Sequence, residues 1–134
     1  MLKFIITFIG TGIVLGAVDA VWLTQIGPGI YRPTLDPVLA QDVNLQAALA
    51  FYLIYISGLL ALVVIPATSW RQALTRGAML GAMAYATYDL TNQATLKVWS
   101  TRITLLDISW GTFLTGVSAL GGYLILKWAR RAFP

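Results

Sequence analysis

The chain has 134 residues, 58% of them hydrophobic and 10% charged, with nine Lys and Arg set against five acidic residues, all Asp. With a positive mean hydropathy, that balance excludes an ordinary soluble domain and marks an integral membrane protein. Cysteine and histidine are both absent, which removes disulfides, thiolate nucleophiles, histidine-based triads, thiolate or imidazole metal sites and the common haem ligands.

Four apolar runs follow one another, at residues 4–26, 46–67, 74–96 and 103–126. Each is close to the ~20 residues a helix needs to cross ~30 Å of hydrocarbon. The first run continues past the small residues of "GAVDA" through Trp22, Leu23 and Ile26, so it reads as a span and not as a cleaved leader. An outer loop is expected at 27–45, where "GPGIYRPTLDPVLAQDVN" holds three of the five prolines. Proline cannot continue a helix, so this segment is expected to be extended or turning. Its Ile30, Tyr31, Leu35, Val38 and Leu39 are apolar enough to lie on the membrane surface or cap the bundle. The remaining connections, "TSWRQ" and "KVWSTR", are short and force antiparallel neighbours. The expectation is an all-α, up-down-up-down four-helix bundle forming one membrane domain over residues 1–134.

Basic residues sort by side. Lys3, Arg71, Arg76, Lys127, Arg130 and Arg131 fall with the two termini and the second connection, while Arg32, Lys97 and Arg102 fall opposite, beside Asp36 and Asp42. Cytoplasmic flanks collect Lys and Arg, so both termini are expected to be cytoplasmic, and a dual-topology dimer is disfavoured. The basic residues flank apolar runs and do not form a stripe on a solvated face, so no nucleic-acid partner is implied.

Asp19, Asp89 and Asp107 lie inside spans, where an ionised Asp facing lipid at midplane costs about 2.5 to 3.5 kcal/mol. They are therefore expected to face the bundle interior. Counting helix rise from the cytoplasmic end puts them at depths of ~22, ~20 and ~24 Å, one layer in the outer half. Each has a partner one turn on: Trp22 after Asp19, Asn92 after Asp89 and Trp110 after Asp107. If the antiparallel helices bearing "DAVW" and "DISW" touch, Trp110 is level with Asp19 and Trp22 lies near Asp107, so each indole N–H serves the other helix's carboxylate. Tyr52 reaches a similar depth, and Tyr85 and Tyr88 line the Asp89 side. Below this layer, "GIVLG" and "GAMLG" are small-xxx-small patterns suited to close packing within the molecule, with a dimer face as the alternative.

Two readings of the acid layer compete. In one, the carboxylates hold four helices in register through hydrogen bonds to Trp, Tyr and Asn. In the other, they line an outward-facing pocket that takes a cation, a proton or a polar head group. Three acids on separate helices exceed what register needs, which favours the pocket. The candidate ligand-binding residues are Asp19, Trp22, Tyr52, Tyr88, Asp89, Asn92, Asp107 and Trp110, with Lys97 and Arg102 as flanking charges. No metal or cofactor is expected, and no catalytic group is assigned. Any catalysis has to rest on Asp, Tyr, Lys or Arg.

Through "DAVWL", "FYLIYISGL", "AYATYDLTNQATLKVW" and "DISWGTFLTG" the chain closely resembles the small four-helix bacterial membrane proteins catalogued as domain of unknown function 2177. The match runs from the first span to the fourth and includes Leu23, Tyr55, Thr91, Trp99 and Gly111 beside the candidate residues above. It departs at Ser100, where the family pattern has proline, which leaves the third connection's geometry open. The resemblance implies a fold and an inner-membrane location, not an activity. Family members lie beside genes for cyclopropane-type modification of acyl chains, which implies a lipid-related role. Three functions therefore stand side by side. The first is binding or transport of a small polar or cationic molecule or lipid head group. The second is an enzyme or subunit in acyl-chain modification, and the third a structural or assembly partner, as a homodimer or in a larger membrane complex.

Overall fold

A computed structural model describes residues 1–133, which are all-helical, with no strand among them. The first helix, α1 (Leu2–Val21), continues through a wide π turn at Trp22–Ile26 into α2 (Gly27–Leu35) and a 3₁₀ turn at Asp36–Val38. Where an extended loop was expected from residue 27, helix therefore persists to 38, and only 39–44 is irregular. The reason lies in where the prolines fall. Pro28 occupies the first turn of α2, where the ring's φ is already helical. Pro33 removes one backbone bond inside α2, and the helix ends two residues later.

Helix α3 (Leu45–Leu59) opens on Asn44, whose Oδ1 accepts the Ala47 N–H at 3.0 Å. It closes in a second π turn, Leu60–Val64, where the Ile65 N–H reaches the Leu60 carbonyl at 2.9 Å. Pro66 follows and stops the helix. Helix α4 (Trp70–Thr95) is capped by Ser69, which accepts the Gln72 N–H at 3.2 Å, while Gln72 Oε1 returns to the Thr68 N–H at 2.8 Å. Helix α5 (Thr101–Ala132) starts on Ser100, whose hydroxyl accepts the Ile103 N–H at 3.2 Å. The serine that departs from the family pattern thus serves as an N-cap. Helix α4 starts before its apolar run and α5 extends beyond its run at both ends, because hydropathy does not register their polar turns.

Helix α5 is the centre of the assembly: it packs along α4 and α1 and also meets the 60–64 turn, which in turn touches α4. Leu15, Ile56, Leu59, Val63, Val64, Leu114 and Leu126 form the apolar core. The α4–α5 seam is closer than side chains would permit. A methyl group added at Gly77 would sit 2.5 Å from Ala119 Cβ and 2.9 Å from the Thr115 carbonyl, and one at Gly81 would strike the Gly111 carbonyl. "GAMLG" therefore marks intramolecular backbone approach. "GIVLG" marks no backbone approach, since a Cβ at Gly12 meets only the Ile56 side chain, at 3.1 Å, and nothing lies within 4 Å of one built at Gly16.

Among the described residues, three helices are long and apolar enough to cross a membrane: 2–38, 45–64 and 101–132. Helix α4 is outside that set because polar groups crowd both its ends, yet its outward face carries exposed Met79, Met83 and Leu90. Ile9, Ile13, Ile54, Leu62 and Phe113 are likewise exposed on the other helices. So large an apolar exterior is that of a protein whose helices meet lipid.

Candidate functional site

The polar residues in "YDLTNQATLKVW" separate into two kinds. Thr91 and Thr95 donate to the carbonyls of Thr87 and Thr91 at 2.6 and 2.8 Å, as Thr87 just before the stretch donates to Met83 at 2.7 Å, so each hydroxyl is satisfied one turn back on its own helix. They are structural and carry no cost for a ligand to relieve. Gln93 ties the top of α4 to the start of α5, accepting from Thr104 at 2.6 Å and donating to Thr101 at 3.1 Å, with the Trp99 indole on Thr104 at 3.0 Å. Asp89 is of the second kind. It is fully buried, and neither carboxyl oxygen has a hydrogen-bond donor among the described residues.

Its neighbour is the Asp107 carboxyl. Two carboxylates offer only acceptors to each other, so this pair bonds only with a proton between them. Asp107 also accepts a hydrogen bond from the Tyr31 hydroxyl. Tyr31 in turn accepts from the Trp22 indole at 2.8 Å. The direct Trp22–Asp107 pairing expected from helix depth is thus replaced by a relay, with Tyr31 inserted from α2. The reciprocal pairing is direct: Trp110 Nε1 donates to Asp19 at 3.3 Å, and Tyr52 donates to the other Asp19 oxygen at 2.7 Å. The two indoles stack with centroids 4.5 Å apart and planes 9° from parallel.

Gly27 makes room for the relay. A Cβ there would sit 3.0 Å from the Tyr31 ring and 3.1 Å from the Trp22 carbonyl, the carbonyl that the π turn engages with the Gly27 N–H.

These groups border a cavity of about 610 Å³, whose walls include Asp19, Trp22, Tyr31, Arg32, Tyr52, Tyr85, Tyr88, Trp99, Asp107 and Trp110. Its surface is mainly aromatic and aliphatic, with two carboxylates and one guanidinium. Of the residues picked from sequence, six line it: Asp19, Trp22, Tyr52, Tyr88, Asp107 and Trp110. Tyr88 does so from an exposed position, its ring edge-on to Trp99 at 6.0 Å. Asp89 lies behind Asp107 and off the cavity wall, and Asn92 is half-buried away from it. Lys97 and Arg102 are exposed and also off the wall. The basic residue that does reach the cavity is Arg32.

Tyr31, Arg32 and Tyr85, with Trp99 and several apolar residues, line it from outside the sequence-derived set. A signal for the first two exists: Pro28, Tyr31, Arg32, Leu35 and Leu39 all line the cavity, at helical spacing. Tyr85 is placed by Gly111, since a Cβ on Gly111 would collide with its ring.

The arrangement can receive a positive group. Aromatic faces attract cations, carboxylates neutralise them, and a mainly apolar wall accepts a carbon framework beside the charge.

No curated protein and no solved structure is significantly similar to the chain. A family model does match it, over residues 4–124, from the first helix into the last turns of α5. The chain belongs to the family described as "Predicted membrane protein (DUF2177)".

Proposed function

We propose that this protein lies in the bacterial inner membrane with both termini cytoplasmic and binds or moves a small polar or cationic molecule, or a lipid head group, through an outward-facing acidic pocket. The single observation that carries the reading is that α1 and α5 each bring a carboxylate, Asp19 and Asp107, to the wall of one aromatic cavity. A polar core serving only helix register has no need of a cavity of this volume. The orientation rests on six basic residues at the terminal end against three at the cavity end. With that orientation α4 is the fourth span, antiparallel to α5.

Binding of tetraethylammonium, a small cation with apolar arms, provides the test. The stacked Trp22 and Trp110 report its entry by fluorescence, and Asp19→Asn and Asp107→Asn are expected to weaken it. Titrations superimposable on wild type in both variants would reject the pocket.

A second reading is favoured by the Tyr31–Asp107 hydrogen bond in a mainly apolar cavity. A hydroxyl and a carboxylate so paired can pass a proton, the chemistry needed by an enzyme or subunit acting on membrane acyl chains. Lipid profiles of a deletion strain decide for this reading if acyl chains change, and against it if they do not.

A further inference from the structure

At the opposite end of the bundle a second cavity, of about 440 Å³, lies between the 65–68 turn and the last turns of α5. Tyr123, Lys127, Arg130 and Arg131 border it, spaced by three and four residues and so on one face of the helix. Pro66 and Leu126 add apolar wall. Tyr123 donates to the Thr68 carbonyl at 3.3 Å and so ties the turn to α5 across the cavity. All five acids, at 19, 36, 42, 89 and 107, belong to the other end, so no acidic side chain offsets the three cations here.

Two ordinary explanations for basic residues at a helix C-terminus fall short. Complementing the helix dipole, or anchoring at the interface, places no demand on which face the charges occupy. Like charges three and four residues apart repel, so their convergence on one cavity calls for a counter-anion. The first turn of α4 is not its partner, because the Gln72 and Thr68 N–H groups are already bonded to side chains.

We propose that this cavity binds a phosphate group, with Lys127, Arg130 and Arg131 supplying the charge. The shared chemistry is an anionic phosphate group, carried as an ester by an anionic lipid whose chains follow the apolar wall, or present as free inorganic phosphate. The site is independent of the acidic pocket.

The experiment uses the full chain in phosphatidylcholine nanodiscs under three conditions: unmodified, with phosphatidylglycerol added, or with inorganic phosphate added. Retained lipid is read by native mass spectrometry and phosphate binding by calorimetry. Wild type is expected to retain phosphatidylglycerol over phosphatidylcholine, and K127Q/R130Q to weaken this roughly thirtyfold, about a factor of five for each basic residue removed. K3Q/R76Q removes the same charge at the same end outside the cavity and is expected to leave retention unchanged. Inorganic phosphate binding without lipid preference supports the site with a free phosphate as its source. If K127Q/R130Q fails to fold, K127Q alone, at an exposed position, carries the same test with roughly a fivefold loss. Equal losses in cavity and control variants, or no binding of either phosphate probe, overturn the proposal.

Discussion

The Gly81→Ala substitution probes the α4–α5 seam most sharply. A Cβ at position 81 strikes the Gly111 carbonyl and lies 2.6 Å from Thr115 Oγ1, so both backbone and side chain must move. A carbonyl inside a continuous helix cannot retract alone, which places the cost toward the top of the roughly 1 to 3 kcal/mol typical of overpacking. Displacing Thr115 also stretches its 2.6 Å hydrogen bond to Tyr55, worth about 1 kcal/mol more. The expected loss is about 3 to 4 kcal/mol. Gly16→Ala is the matched control from the other small-xxx-small pattern. With nothing within 4 Å of the new methyl group, it should fall within about 1 kcal/mol of wild type, on the stabilising side for helix propensity. Reversible unfolding in mixed micelles, followed by circular dichroism, measures both. Equal stabilities for the two variants would refute the assignment of backbone approach to Gly81 and not to Gly16.

Three further outcomes follow from single polar side chains. Tyr31→Phe removes the hydroxyl that bridges Trp22 and Asp107 and should cost about 2 to 3 kcal/mol by the same unfolding assay. A loss below about 1 kcal/mol, the worth of one ordinary bond, would mean that the relay is not intact in the membrane. Asp89→Asn replaces an acceptor that has no protein donor with a group that donates toward Asp107, so stability should hold within about 1 kcal/mol of wild type or rise. A large loss would reveal a donor to Asp89 from outside the described residues. Ser100→Ala deletes the cap on α5 and is expected to cost about 1 kcal/mol, read as a lower unfolding midpoint.

Much of the acid layer was legible because a membrane helix converts residue number into depth. Helix rise alone put Trp110 level with Asp19, and the hydrogen bond between them follows. What depth cannot supply is angle. Asp89 and Asn92 share a helix face by spacing, yet Asp89 is sealed against Asp107 while Asn92 stands clear of the cavity. The segment after residue 27 was misread for a different reason: counting prolines hid the helical spacing of Tyr31, Leu35 and Leu39. Pro28, in the first turn of α2, favours a helix start as readily as a loop. Arg32 was assigned to the flank by its charge, though it lies on the cavity wall beside Tyr31.

The π turn at Trp22–Ile26 sets the angular phase of everything that follows it. A turn closed by five-residue bonds holds about one residue more than an α turn, and each residue advances the helix by about 100°. Were the same residues wound as α, with none deleted, α2 would swing by that angle. The Tyr31 hydroxyl would be carried off Asp107 with its side chain chemically unchanged. The relay therefore depends on how this turn closes as much as on the residues that form it, and a chain one residue shorter here would keep Tyr31 in phase on an unbroken α ladder.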